Sequence, residues 1–170
     1  MTAYIALLRA VNVGGTGKLP MTTLKAMCEE AGLSQVRTYI ASGNVVFTSD
    51  ADEAQIKSVL EDKLRTHAGK PVGALVRSAA EMSGVLARHP FSDKPGNRTV
   101  AIFVDEPLPA DTLDHARGIR GELVHLAQRE VYIFYGDGMA DSRLRIPACD
   151  PGTARNMNTV AKLVQMSASL

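Results

Sequence analysis

The stretch VNVGGTGKLP, residues 11–20, places three glycines and a lysine after an apolar run. Glycine amides that open onto a helix N-terminus suit a bound phosphate or carboxylate. A nucleotide triphosphate loop asks for more, namely G-x-x-x-x-G-K-[ST] between strand and helix. Counting back from Gly17-Lys18, the first glycine should fall at residue 12, which is Asn12, and the hydroxyl expected after the lysine is Leu19. Pro20 then removes one N–H from the start of the helix. The stretch is therefore not a P-loop. A simpler anion site survives, in which the amides of Gly14 and Gly15 are flanked by Arg9 and Lys18. Against it stands a plain glycine loop joining strand to helix, with Lys18 solvated.

A second polar cluster lies in TARNMNTVAKL, residues 153–163. Asn156, Asn158 and Thr159 surround Met157 where a helix should begin. Capping needs only one of them, or Thr153. Arg155, Asn156, Asn158 and Thr159 together suit either an anionic ligand or a buried polar network that pins the tail. From residue 143 onward four basic residues (Arg143, Arg145, Arg155, Lys162) face one acidic residue, Asp150. Ser42-Gly43-Asn44 are ordinary turn residues, yet in a β-α-β-β-α-β unit that turn sits at the sheet end where the first strand exits. The expected site thus joins Arg9, Asn12, Gly14, Gly15, Lys18, Ser42 and Asn44 to Arg155, Asn156, Asn158 and Lys162. Its expected ligand is a small phosphate- or carboxylate-bearing anion.

Other chemistry finds little support. His67, His89, His115 and His125 are scattered, with no HxxxH or HExxH spacing for a metal. There is no GxSxG and no Cys beside a His, so no catalytic residue and no cofactor is assigned. Cys28 and Cys149 read as reduced thiols of a cytosolic protein more simply than as a disulfide. A net charge of +1, from 19 basic and 18 acidic residues, supplies no field toward nucleic acid or a membrane surface. Without an 18-residue apolar run or a basic n-region, the expectation is a cytoplasmic protein with neither membrane span nor signal peptide.

The elements that must position these residues follow from periodicity. A chain of 170 residues, 45% hydrophobic and 22% charged, has ordinary globular composition and buries roughly 70% of its unfolded surface without a metal or disulfide. Residues 4–9 read as a strand and the run from Pro20 to Gly32 as a helix. Residues 36–49 read as a hairpin turning at Gly43. Asp50 and Glu53 read as a capping box before a helix ending at Gly69, and 72–77 as a strand. That order makes residues 1–77 a ferredoxin-like half. Residues 78–170 read as a helix opened by Ser78 and Glu81, a boundary segment at 90–98, and a strand at 99–104. A short helix at 109–117, a hairpin at 122–135, at most a turn or two of helix in DSRLRIP, and a last helix at about 156–168 follow. The fold class is α+β: duplicated ferredoxin-like (β-α-β-β-α-β) halves, the second degenerate, with a C-terminal helix, and residues 78–170 are expected to pack as one unit.

IALLRAVNVGG with the following LPM, then VRTYIASGNVVF, then TARNMNTVAKL, resemble in that order the DUF1697 family, which is cytoplasmic and mostly bacterial. The resemblance spans essentially the whole chain. Members of that family often carry Trp where this chain has Met157, and a longer helix where it has DSRLRIP. The resemblance implies no established activity and no catalytic residues.

Two other classes remain open. Ferredoxin-like sheets also bind RNA, but eight aromatic residues and near-zero net charge argue against a stacking platform. A protein-interaction module, monomer or homodimer, could use the strand VGALVR as a free sheet edge.

Overall fold

The structure is a computed structural model and describes residues 1–13, 18–136 and 139–170. Its first elements are β1 (Thr2–Leu8), α1 (Met21–Glu30), β2 (Ser34–Tyr39), β3 (Asn44–Ser49), α2 (Glu53–Ala68) and β4 (Ala74–Ser78). The four strands pair antiparallel in the order β2-β3-β1-β4. Alternation along β1 sends Tyr4, Ala6 and Leu8 to one face, where Val45, Phe47 and Val76 join them. Leu24 and Cys28 of α1 and Ile56, Leu60 and Leu64 of α2 close that core. Each of these aliphatic side chains contributes about 1.5–3 kcal/mol by leaving water. Ile5, Leu7 and Leu75 point to the opposite face and are equally buried. The edge strand β4 is itself buried along Ala74, Leu75, Val76 and Arg77.

Local signals set the boundaries. Extended backbone at Pro20 starts α1, and Gly32 follows its end at φ +87. The hairpin turns at Gly43, φ +88. The box before α2 is made by Asp52 and Gln55, not by Asp50 and Glu53: Asp52 Oδ1 accepts from Gln55 N–H at 2.8 Å, and Gln55 Oε1 accepts from Asp52 N–H at 3.0 Å. Asp50 instead lies 3.6 Å from the N-terminal ammonium.

The remaining elements are α3 (Ala79–Ala87), β5 (Thr99–Phe103), β6 (Leu123–Leu126), β7 (Glu130–Phe134), β8 (Thr153–Asn156) and α4 (Met157–Ala168). Their strands form a second antiparallel sheet in the order β6-β7-β5-β8. The last helix runs at its expected place, Met157–Ala168, but residues 153–156 before it form an unforeseen strand, paired Ala101↔Arg155 and Phe103↔Thr153. Two expectations need correction. The helix expected at 109–117 shrinks to one 3-10 turn at Thr112–His115, in a segment broken by Pro107 and Pro109. DSRLRIP is extended where Arg145 bridges Arg117, and its proline instead opens the 3-10 turn Pro147–Cys149. These turns, rather than α-helices, carry the residues that pack on Val131 and Ile133, among them Leu113 and Cys149.

The fold is α+β, with two four-stranded antiparallel sheets and four α-helices among the described residues. The chain divides into two units, Met1–Gly84 with Lys162–Leu170, and Val85–Ala161. In the first, Arg37 Nη1 donates to Ser169 Oγ at 3.0 Å. In the second, the Tyr132 hydroxyl donates to the Val85 carbonyl at 2.6 Å and the His89 ring stacks on Tyr132. No helix among the described residues is long and apolar enough to cross a membrane.

Candidate functional site

Strand direction decides which residues meet in the first unit. The register Leu7↔Asn44 puts the β2–β3 turn beside the exit of β1, and Leu8↔Ala74 puts the start of β4 on its other side. The Leu8 N–H donates to the Gly43 carbonyl at 2.8 Å, and the Arg9 N–H to the Gly73 carbonyl at 2.9 Å. The end of α2 reaches the same place, because β4 begins five residues beyond Gly69.

A cavity of about 370 Å³ opens there. Val11, Leu19, Leu64 and Val72 supply its apolar surface. Arg9, Lys18, His67 and Lys70 supply its charge and hydrogen-bond donors, and among the described residues none that lines it is acidic. These four residues come from separate segments: Arg9 from the end of β1, Lys18 from the approach to α1, His67 and Lys70 from the end of α2. The carbonyls at the C-terminus of α2 attract positive charge and account in part for His67 and Lys70. They do not account for Arg9 and Lys18, which other segments bring. Lys18, His67 and Lys70 make no ion pair with any described residue.

Asn12, expected to face a ligand, is committed to the backbone. Its Oδ1 accepts from Leu19 N–H at 2.6 Å, and its Nδ2 donates to the carbonyls of Leu19 at 2.9 Å and Ala41 at 2.8 Å. Three residues at this end hold positive φ without being glycine: Ala10 (53°), Asn12 (56°) and Ile40 (50°). Such backbone is uncommon outside Asn and Asp, and for a β-branched residue it is an outlier. Asn44 is wholly buried and its Nδ2 donates to the Tyr39 carbonyl and to Ser42 Oγ, both at 2.9 Å. Ser42 and Asn44 therefore shape the turn. Gly43 is required for closeness as well as for φ: a Cβ there would lie 2.7 Å from Val11 Cγ2 and 2.9 Å from Leu8 Cβ. Gly14 and Gly15 lie outside the described residues.

The C-terminal candidates divide between the units: Arg155, Asn156 and Asn158 in the second, Lys162 in the first. Asn156 Oδ1 accepts from Thr159 N–H at 2.9 Å, the bond that caps α4. Arg155 is buried on β8 and its Nη1 donates to Thr153 Oγ1 and to the Ala154 carbonyl, both at 2.9 Å. Burial lowers its pKa to about 10. The Asn158 side chain lies against Gly96, where any Cβ would meet its Oδ1. Lys162 is exposed and reaches Gln165 Oε1 at 3.5 Å.

Arg9 and Lys18 are thus the two expected residues that line the cavity, and His67 and Lys70 are the two that sequence reasoning missed. Their signal was topological. A helix that follows a strand antiparallel to β1 must end where β1 ends, so HAGKPVG (67–73) had to approach Arg9. No three His, Cys, Asp or Glu side chains among the described residues cluster as a metal would require. Both cysteines are free and buried; desolvation pushes Cys28 up to about 12 and Cys149 up to about 11, which leaves neither thiol nucleophilic.

A family model described as a protein of unknown function, DUF1697, matches residues 1–132, which include every residue lining the cavity. No curated protein matches the chain. Among solved structures, the conserved bacterial protein SP0830 from Streptococcus pneumoniae is 26% identical, with a TM-score of 0.81 over 98% of each chain. That likeness carries past the family match and takes in β8 and α4.

Proposed function

The chain belongs to the DUF1697 family, whose function is unknown, and from that premise we propose on chemical grounds that the first unit binds a small anionic ligand. The observation that carries this reading is the composition of the cavity wall: Arg9, Lys18 and Lys70, with His67, and no carboxylate among the described lining residues. Arg9, Lys18 and Lys70, gathered from three segments, repel one another, and an anion offsets that repulsion. The partly enclosed site strengthens each contact relative to open water. Arg9 and Lys18 carry the reading over from the loop that suggested it, while Asn12, Ser42 and Asn44 hold the walls.

Inorganic phosphate is the first probe. At constant ionic strength it should raise the melting temperature of the wild-type protein, and sugar phosphates and carboxylates should do so to differing degrees. Lys18→Gln and Lys70→Gln should each weaken phosphate binding about fivefold, near ~1 kcal/mol for a solvent-accessible ion pair. Both lysines are exposed, so circular dichroism should show an unchanged fold. A wild-type protein indifferent to millimolar phosphate and to every other anion in the screen would overturn the reading.

We also read the two sheets as ferredoxin-like halves of a duplicated chain, the second degenerate. Two features support this. The strand orders correspond, β2-β3-β1-β4 and β6-β7-β5-β8. Each last strand also bears a buried arginine whose Nη1 donates to the carbonyl of the residue before it, Arg77 to Val76 and Arg155 to Ala154. An experimental structure whose sheets failed to superpose strand for strand would sink it. The free, buried thiols favour a reducing, cytoplasmic setting, which a fluorescent fusion expressed in bacteria would check.

A further inference from the structure

We infer that Glu61 is a positioning residue of this cavity: with Lys57 it clamps the main chain of Ala74, and through Ala74 it fixes the Lys70–Gly73 wall and the start of Arg9. This rests on the anion-site reading above and adds to it the group that holds the site in shape.

The need for a clamp comes from the strand ladder. Antiparallel pairing alternates, so a residue next to a hydrogen-bonded pair turns its own N–H and C=O away from the neighbouring strand. The Arg9 N–H donates to the Gly73 carbonyl at 2.9 Å, whereas Leu8, which lies opposite Ala74, donates its N–H to Gly43 on the other side of β1. The N–H and C=O of Ala74 therefore face the outer edge of the sheet, because β4 is an edge strand. Ala74 is nonetheless wholly buried. A buried backbone group without a partner costs as much as a lost hydrogen bond, so both groups of Ala74 need partners from outside the sheet.

One ion pair of α2 meets both needs. The Ala74 N–H donates to Glu61 Oε2 at 3.0 Å, and Lys57 Nζ donates to the Ala74 carbonyl at 2.7 Å. Lys57 Nζ also donates to the same Glu61 oxygen at 2.9 Å, which closes a ring of three bonds around one residue. The Lys57 and Glu61 side chains are 29% and 34% exposed, so solvent and salt screen these contacts less than at an open surface.

Ala74 stands where the segments of the site join. Lys70, Pro71, Val72 and Gly73 line the cavity and connect α2 to β4. The clamp spans that connection, holding the helix before it to the strand after it. Gly73, next to Ala74, carries the carbonyl that receives the Arg9 N–H. The Pro71-Val72-Gly73 strip also borders a second cavity of about 310 Å³, which Glu61 lines. Glu61 thus acts on the anion site through the main chain.

Charge and position predict opposite signs. Glu61→Ala removes a carboxylate near a cationic cavity, which by charge alone strengthens anion binding. Loss of position weakens it. Inorganic phosphate, titrated by calorimetry at constant ionic strength, should bind Glu61→Ala about fivefold more weakly than wild type, as if one lysine of the site were removed. Glu61→Gln keeps an acceptor for the Ala74 N–H and sheds the charge, so it should bind at least as tightly as wild type. Amide exchange gives a readout that needs no ligand. In Glu61→Ala the Ala74 and Arg9 N–H groups should lose protection relative to the Leu24 N–H, which the Pro20 carbonyl holds in α1. Three outcomes each overturn the clamp and leave the anion site standing: wild-type or tighter binding by Glu61→Ala, a Glu61→Gln as weak as Glu61→Ala, or an Arg9 amide as protected as in wild type. If the wild-type protein binds no anion at all, both readings fall together.

Discussion

Asn12 holds the main chain of Leu19 at both of its polar atoms, accepting from its N–H at 2.6 Å and donating to its carbonyl at 2.9 Å. A single carboxamide therefore ties residue 12 to residue 19, and its second donor bond, to the Ala41 carbonyl, fastens both to the hairpin. Asn also tolerates the left-handed backbone at this position, φ +56, better than most residues. Asn12→Ala should lower unfolding stability by about 2–3 kcal/mol, from lost hydrogen bonds and from left-handed strain. Asn12→Gly should lower it by about 1 kcal/mol less, because glycine keeps the backbone unstrained. Urea denaturation of both variants measures the difference. An Asn12→Ala protein within about 0.5 kcal/mol of wild type would return Asn12 to the ligand candidates.

Gly43 and Gly69 both sit at positive φ, but their surroundings differ. A Cβ on Gly43 meets Val11 and Leu8 below 3 Å, whereas a Cβ on Gly69 meets nothing within 4 Å. Gly69→Ala should therefore cost only the left-handed penalty, about 1–2 kcal/mol. Gly43→Ala adds a clash with packed side chains and should cost a further 1–3 kcal/mol. Because Val11 also lines the cavity, Gly43→Ala should weaken phosphate binding, and Gly69→Ala should affect it less. Equal losses of stability in the two variants would show that the hairpin is not packed against Val11.

The first half of the fold was legible because its signals are local and mutually consistent. Pro20 and Gly32 bracket α1, Gly43 marks the hairpin, and the stripe Ile56, Leu60, Leu64 identifies the buried face of α2. The second half hid its elements. In β8 the inward positions are Thr153 and Arg155, so an alternating strand reads as a polar helix start. The capping box slipped by two residues because Asp50, Asp52, Glu53 and Gln55 offer competing pairs. The site was half legible for a related reason. Arg9 and Lys18 flank conspicuous glycines, while Lys70 and His67 look like the routine cations that complement a helix C-terminus. Only the antiparallel register brings the two sets together.

Helix capping at the two strand-to-helix junctions supplies a matched pair of tests. Ser78 Oγ accepts from Glu81 N–H at 3.1 Å, and Asn156 Oδ1 accepts from Thr159 N–H at 2.9 Å. Ser78→Ala and Asn156→Ala should each cost about 1 kcal/mol in chemical denaturation. Asn156→Asp should cost little, since aspartate caps equally well and its charge suits the helix N-terminus. If Asn156→Asp were as damaging as Asn156→Ala, the Asn156 amide would be needed as a donor, a role beyond the cap.

His89 ties part of the protein's stability to pH. Its face stacks on Tyr132 with centroids 5.8 Å apart, and its Nδ1 accepts from Phe91 N–H at 3.3 Å, a bond available only to the unprotonated nitrogen. Burial lowers its pKa from 6.5, and the charge of Asp93 works the other way. With a depressed folded-state pKa, the unfolded chain takes up the proton first as the solution is acidified. The stability due to the neutral ring is therefore fully present above pH 6.5 and is lost as pH falls through the folded-state value. His89→Asn keeps an acceptor but cannot titrate, so its melting temperature should fall less steeply than that of wild type below pH 6.5. Asp93→Asn removes the opposing charge and should lower the His89 pKa further, as read by proton NMR of the imidazole. A His89 resonance titrating at or above 6.5, or parallel melting curves for wild type and His89→Asn, would remove this ring as the source of acid sensitivity.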